Sequence, residues 1–593
     1  MVSVVSGMRI VRAILSLVPD FLLRHITPCL SGASRGKSSV RPVLLRGLAG
    51  ITRIAGYVRS VAAAPCLVLV AGSLICQGFL AQESLAQEQE FFHTSHQCIA
   101  CHSGVVSPEG QDISIGYTWR ASMMANSARD PYWQAGVRRE VMDHPQAQAA
   151  IEDTCATCHM PMARFHSANN GGTGEVFANL APWDNVLAAD GVSCAVCHQI
   201  QDDNFGDDSS FTGGFVINTT LAMGEREIYG PHEVDIGRQT LMNSATNFVP
   251  STSEHLAESE LCATCHTLFT ETLNAAGEGV GTLPEQVPYH EWLHSDYRTT
   301  NSCQSCHMPE LVEDAPITSV LGQLRPAVNQ HVFRGGNAFM LGMLNKYRTE
   351  LGVTALPQEL EASQRSTREF LESETARVSI DSALMAGSTL ELGVAVESLS
   401  GHKLPTAYPS RRAWLHVTVT DASGNTLFES GAVLPDGSIA GNDNDEDGSR
   451  FEPHYGSIDS ASQVQIYESV MVDVQDRVTT GLLSGARYIK DNRLLPLGFD
   501  KASASWEIAV HGAAADDDDF TAGGDRVEYR VDVSGASGAV TVSAQLLFQS
   551  IGYRWAENLR DYDAFETNRF VGYYEESATS SSETLASDSF TLP

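Results

Sequence analysis

Past residue 86 the chain has no cysteine outside one repeated pentapeptide. Of 13 cysteines, ten lie in five copies of Cys-x-x-Cys-His, and the others, Cys29, Cys66 and Cys76, fall near the N-terminus. If that terminus is removed, no thiol remains for a disulfide framework. Basic residues are scarce too, 38 Lys and Arg against 72 Asp and Glu, a formal charge of −34. The first 86 residues hold nine of the basic residues and only two acidic ones, so the remainder carries −41. That balance excludes nucleic acid as an ordinary partner and favours solubility and basic or cationic partners. Charged residues are 19% and apolar residues 43%, which excludes disorder driven by charge. At 593 residues the chain is too long for one core.

Long apolar runs are missing as well, with one exception. Val61 to Ala81 is mostly apolar, follows Arg53 and Arg59, and precedes Ser84-Leu85-Ala86, which has the small residues a signal peptidase needs. Residues 1–86 are therefore read as a basic leader and secretory signal cut after Ala86, placing the mature protein in the periplasm or outside the cell. The competing reading is an uncleaved anchor, the one route to membrane contact. A run of about 21 residues just spans a bilayer, but Pro65, Gly72, Ser73, Gln77 and Gly78 weaken it.

What is present is the pentapeptide, where composition alone predicts roughly 0.01 copies. The five copies are Cys98-Ile-Ala-Cys101-His102, Cys155-Ala-Thr-Cys158-His159, Cys194-Ala-Val-Cys197-His198, Cys262-Ala-Thr-Cys265-His266 and Cys303-Gln-Ser-Cys306-His307. Two thiols at this spacing reach the two vinyl groups of one haem as thioethers, and the adjacent His lies under the iron. Cys-x-x-Cys also holds zinc or serves as a redox pair, but His at the same offset five times in an exported chain selects covalent haem c. Five haems are expected, with His102, His159, His198, His266 and His307 as proximal ligands.

Each iron needs a sixth ligand to transfer electrons only, or an open position to do chemistry. Thirteen further histidines follow residue 86, more than enough. By placement, His255, His331 and His402 are the foremost distal candidates, with His96 and His232 behind them and Met124 as a thioether alternative. A different metal motif, Asp443-x-Asp445-x-Asp447-Gly448, has the opening of a calcium loop, although position 12 is His454 where an EF-hand needs Glu.

The expected fold is α+β and multidomain. Residues 87–335 form a mostly helical and irregular pentahaem domain. Residues 336–375 form a helical connector, with helices over Asn337–Leu351 and Pro357–Ser373. Residues 376–593 form an antiparallel β-sandwich, read from seven alternating segments that include Val464–Val474 and Ser505–Gly512.

At Trp119-Arg-Ala-Ser-Met-Met124, Gly191–Ile200, Tyr229-Gly-Pro231, Glu285–Trp292 and Cys303–Pro309 the chain resembles bacterial multihaem c-type cytochromes of the cytochrome c-554 type. Gly401-His-Lys-Leu-Pro-Thr406, Arg411–Leu415 and Lys490–Pro496 are similar to a β-domain often attached to such cytochromes. The resemblance implies electron transfer between redox partners, with a minority of relatives acting on small nitrogen or sulfur compounds. It also implies a distal His after Trp-x-x-Ser-x, where this chain has Met124 and Tyr297. The expectation is an electron carrier rather than an enzyme. The rival is an oxidoreductase with one open-site haem, and a third reading makes the β-region an assembly module that forms a homo-oligomer or filament.

Overall fold

The computed structural model describes residues 89–181 and 184–593, so the leader and its cleavage site lie outside the described residues. From Glu88 to Pro593 the chain is one compact unit of mixed α and β structure.

Up to residue 335 it is built from short helices and two-stranded ribbons. Helix α1 (Pro131–Asp143) starts where the Asp130 carboxylate accepts from the backbone N–H of Tyr132 (2.8 Å) and Trp133 (3.3 Å), with Pro131 in the first helical position. Helix α2 (Gln148–His159) carries the second motif in its last turns. Helix α3 (Pro161–Asn169) begins at a proline that cannot prolong α2. Helix α4 (Ser259–His266) carries the fourth motif and runs into a hairpin of Leu268–Leu273 with Gly279–Gln286. The third and fifth motifs sit on single turns at Cys194–Cys197 and Cys303–His307, and the first starts on the turn His96–Ile99 and runs past its end. Residues i and i+3 share a helix face, so one turn turns both thiols of a motif the same way.

Two helices follow, α5 (Ala338–Lys346) and α6 (Pro357–Glu374), close to the expected spans. The Glu359 carboxylate accepts from the Leu356 N–H at 2.9 Å and closes the first turn of α6.

The remainder is dominated by strands: β1 (Ala376–Ala386), β2 (Thr389–Ser398), β3 (Arg412–Asp421), β4 (Thr426–Ser430), β5 (Ser457–Ile458), β6 (Ile466–Tyr467), β7 (Ser469–Val472), β8 (Val478–Thr479), β9 (Arg487–Asp491), β10 (Gly524–Asp532), β11 (Val540–Gln549) and β12 (Ser582–Leu592). One sheet has the order β5-β10-β2-β1 and a second β4-β3-β11-β12, with β6 also paired to β3. A small third sheet is β8-β7-β9. Pairing is antiparallel except between β5 and β10. Alternate residues of both larger sheets, among them Leu390, Val394, Leu415, Val417, Val527, Tyr529, Val542 and Leu546, share one buried cluster. Each fully buried Val or Leu contributes about 1.5–3 kcal/mol.

The strand pattern differs from expectation in two places. Ser505–Gly512 alternates in sequence, yet it forms turns whose ladder contact is a single bridge from His511 to Asp491. Ile508 still reaches the core from a turn, which explains the apolar spacing. Val464–Val474 splits into β6 and β7, which belong to different sheets.

The two parts of the chain are knit together. Helix α7 (Phe565–Glu575) packs on α1 through the Arg138–Glu566 ion pair (2.8 Å) and the Tyr132 and Phe570 rings (5.0 Å between centres). Helix α6 reaches β12 through Arg368 and Glu583 at 2.8 Å. No helix among the described residues is long and apolar enough to cross a membrane.

Candidate functional site

All ten motif cysteines and all five motif histidines line one continuous cavity of about 1650 Å³. The motifs are neighbours inside it. The Cys98 thiol lies against Cys194, Cys158 against Cys265, and Cys262 against Cys303, while Cys197 faces Cys265. The adjacency is therefore first to third to fourth, with the second and fifth motifs both attached to the fourth.

The imidazoles show which nitrogen is free. A carbonyl oxygen only accepts, so a ring nitrogen bonded to one must carry the proton. The Nδ1 atoms of His102, His159, His198 and His307 donate to the carbonyls of Ile317 (2.8 Å), Ser127 (3.2 Å), Tyr229 (2.6 Å) and Arg334 (2.6 Å). Each is thereby held in the tautomer whose Nε2 keeps its lone pair, the arrangement that orients a metal-ligating histidine. Among the described residues, no carbonyl accepts such a bond from His266. Trp133 stacks on His159 at 4.4 Å and 7° and fixes the plane of that ring. Burial pushes all five imidazoles below the usual histidine range, to about 4 for His159 and His307. Neutral imidazole is the form that binds metal.

Two further histidines face motif histidines across the cavity. His331 stands opposite His198 with ring centres 6.2 Å apart and planes 13° from parallel. His402 stands opposite His307 at 6.2 Å and 11°. Their Nδ1 atoms donate to the carbonyls of Asn329 (3.2 Å) and Lys403 (2.9 Å), leaving Nε2 free again. Two imidazoles that each hold one metal at roughly 2 Å place their ring centres about 6 Å apart. Both pairs have that spacing.

The comparisons with known proteins are sparse. No family model and no curated protein matches the chain. Among solved structures it is similar to a penta-heme cytochrome c552 from Thermochromatium tepidum, at 15% identity over 84% of this chain and 99% of that one, with a TM-score of 0.46.

The other expected ligands are placed differently. His255 is buried with both nitrogens engaged: Nε2 donates to the Ile200 carbonyl at 2.8 Å, and Nδ1 accepts from the Ser253 hydroxyl at 2.6 Å. This tautomer is opposite to that of the motif histidines and leaves no lone pair for iron, so His255 is a structural histidine. His96 is exposed and outside the cavity, whereas His232 and Met124 line it. Tyr297, in the position where the resemblance implied a histidine, donates its hydroxyl to the Leu399 carbonyl at 2.9 Å, three residues before His402.

At the calcium motif the carboxylates are engaged by other groups. Asp445 is gripped by the Arg412 guanidinium at 2.8 and 2.9 Å, Asp443 pairs with Arg450, and Asp447 accepts from Ser449 within its own turn (2.9 Å to the backbone N–H). The three carboxylates have partners and do not converge on a common point. A different group, His454, Asp517 and Asp525, brings its ligand atoms within 4.8 Å of one another. The Gln465 and Asn492 amides donate to His454 Nδ1 at 2.8 and 3.1 Å, while their oxygens accept from the backbone N–H of Tyr455 and Glu468. The histidine proton therefore sits on Nε2, facing Asp517 at 3.2 Å, so His454 takes part as a hydrogen-bond donor with no free lone pair of its own.

Sequence reasoning missed the charged residues around His402. Glu291, Lys403, Asp491 and Arg493 are buried together and joined by ion pairs of 2.7 to 2.9 Å. No periodic pattern marks them: Lys403, Asp491 and Arg493 lie in the polar strings Gly401–Thr406 and Lys490–Pro496, and Glu291 in Glu285–Trp292.

Proposed function

We propose that the protein is an exported multihaem cytochrome c that relays electrons through five covalently attached haems, acting in the periplasm or outside the cell between a redox donor and acceptor. The observation that carries this reading is the set of facing imidazoles: two pairs at the spacing of two ligands on one iron, held in the metal-binding tautomer, inside a cavity lined by all ten thiols. Haem, when bound, supplies a one-electron couple that needs no substrate at the metal. The chain's residues do the rest. The cysteines would anchor the haems, the carbonyls of Ile317, Ser127, Tyr229 and Arg334 orient the motif imidazoles that would hold iron, and His331 and His402 would supply the second imidazole at the third and fifth motifs. The order of neighbouring thiols would make the fourth motif a junction, so the relay would branch there, with the first and third motifs on one arm and the second and fifth each on another.

The two larger sheets, packed over a common core, are read as a β-sandwich. It brings His402 to the fifth motif and so belongs to the electron-transfer unit.

A second reading, an oxidoreductase with an open-site haem for a small nitrogen or sulfur compound, is favoured by one observation. Among the described residues, no histidine ring stacks opposite His102, His159 or His266 as His331 and His402 do. Low-temperature EPR of the oxidised holoprotein, with haem counted by mass spectrometry, tests both readings. Five haems all in low-spin states support the relay. A high-spin signal that shifts on adding a small ligand supports the enzyme, and fewer than five attached haems defeats the central claim.

A further inference from the structure

His402 reaches the cavity from the strand-rich part of the chain, on the segment between β2 and β3, and something must hold that segment against His307. The segment is gripped from both sides. On the side of the motifs, the Ser295 hydroxyl donates to the Gly401 carbonyl at 3.1 Å and Tyr297 to the Leu399 carbonyl. On the strand side, the N–H and carbonyl of Leu404 each bond Leu494 at 2.9 Å. Between them lies Glu291, whose side chain has no solvent exposure. One of its oxygens, Oε2, accepts from both the Lys403 N–H (3.1 Å) and the Thr406 hydroxyl (2.5 Å), spanning the turn that follows His402. The other, Oε1, faces the Arg493 guanidinium at 2.9 Å. Arg493 in turn grips Asp491 at 2.7 Å, and Asp491 meets the Lys403 ammonium at 2.8 Å. Lys403 thus contributes its backbone to one acid and its side chain to another.

A buried carboxylate without solvent is costly unless its partners are complete. Here two acids face two bases, and the bonds of Glu291 Oε2 and of the Lys403 ammonium converge on the residues immediately after His402. A hydrophobic turn would serve stability as well. The charged one is geometrically specific, since the backbone at Lys403 cannot rotate without breaking bonds to Glu291, and the Lys403 carbonyl is what orients the His402 ring.

We propose that Glu291 is the positioning residue of the distal ligand His402: through Lys403 and Thr406 it locks the turn that presents the imidazole to the iron held by His307, with Arg493 holding the carboxylate in place. The proposal rests on the ligand reading above. It makes a residue of the motif-bearing part responsible for seating a ligand from the strand-bearing part, so that ligation of this haem reports whether the two parts are correctly docked.

The test uses the full holoprotein. Glu291→Gln keeps the volume but leaves one acceptor oxygen for donors on both sides, so its NH2 group must face either the Lys403 N–H and Thr406 hydroxyl or the Arg493 guanidinium. Thr406→Val removes a single bond and leaves the ion cluster intact, so it remains informative if the Gln variant fails to fold. His402→Ala serves as the reference. The readouts are low-spin EPR signals, the redox midpoint of the affected haem, and carbon monoxide binding to the reduced protein relative to wild type. Loss of an outer partner weakens ligation roughly tenfold or more. Glu291→Gln is therefore expected to lose the same low-spin signal as His402→Ala, to gain carbon monoxide binding at one haem, and to recover the signal when imidazole is added. Thr406→Val is expected to do the same more weakly. If His402→Ala loses a signal that both other variants retain with an unchanged midpoint, the positioning role is overturned. If His402→Ala itself changes no signal, the ligand reading falls.

Discussion

The two parts of this molecule solve the problem of an interior in opposite ways. From residue 376 onward, one large cluster of Val, Leu, Ile and aromatic side chains is shared by two sheets, and the chain supplies its own core. Before residue 335 the buried residues fall into several small clusters arranged around the cavity, such as Phe91 with Met162 and Phe248, or Val137 with Ile151 and Met160. That region has apolar walls with a cofactor-sized space between them. On the proposed reading its interior would be completed by covalently attached groups, and its secondary structure is short because each turn needs only to present two thiols and one imidazole.

The most drastic way to break the comparison is to remove one attachment at the junction. Cys262→Ser with Cys265→Ser takes away the fourth group, which neighbours those of the second, third and fifth motifs. The expected loss is comparable with the folding free energy of a whole domain, about 5–15 kcal/mol. Circular dichroism should show helix lost before strand, and mass spectrometry fewer haems than the single missing one explains. Helix and strand signals falling together would mean that the strand-rich part also depends on the cofactors.

The self-sufficient core invites smaller perturbations. Asp445→Ala leaves the Arg412 guanidinium buried without its partner and is expected to cost about 3–5 kcal/mol, read as a lowered denaturant midpoint. The same experiment tests the calcium expectation. If Arg412 is the cation of this site, chelator and added calcium leave the wild-type midpoint where it is. Leu415→Ala, in the middle of β3, is expected to cost about 2–5 kcal/mol. All five haems should remain attached, because thioether formation uses the motifs alone.

The comparison also explains what was legible in the sequence. The attachment motif is local chemistry, readable wherever it occurs, since both thiols and the proximal His lie within five residues. The proposed distal ligands arrive through long-range topology. His331 crosses from beyond the fifth motif to face the third, and His402 comes from between two strands. His255, seven residues before a motif, looked equally well placed and proved to have the wrong tautomer. Alternation located the sheets because inward and outward faces of a strand must differ, yet it misread Ser505–Gly512, where a turn buries Ile508 with the same spacing. The α7 helix and β12 were not anticipated: α7 is held by α1, hundreds of residues away in the chain, and β12, paired with β11, is also tied to Arg368 of α6 and Ile380 of β1. Charged residues in buried strings, Glu291 and Asp491 among them, give no periodic signal at all. Their pairing exists only in three dimensions.

The mildest test concerns a buried acid inside the strand-rich core. Asp525 accepts from the Tyr467 hydroxyl at 2.7 Å and from the Gln465 amide at 3.1 Å, both on one oxygen, while its other oxygen is buried without a hydrogen-bond partner. Burial raises its pKa to about 7. A carboxyl group whose folded pKa lies above its unfolded value stabilises the fold while protonated in both states, and that contribution is lost as pH rises from the unfolded value near 4 through the folded value. Asp525→Asn keeps an acceptor for Tyr467 and Gln465 and has no proton to lose. The variant should therefore match wild type at pH 4 and exceed it by about 1–3 kcal/mol at pH 8. Chemical denaturation at the two pH values measures the difference. A constant offset between variant and wild type would show that Asp525 does not titrate in this range, and that even the part of the molecule with a complete core keeps a charge inside it.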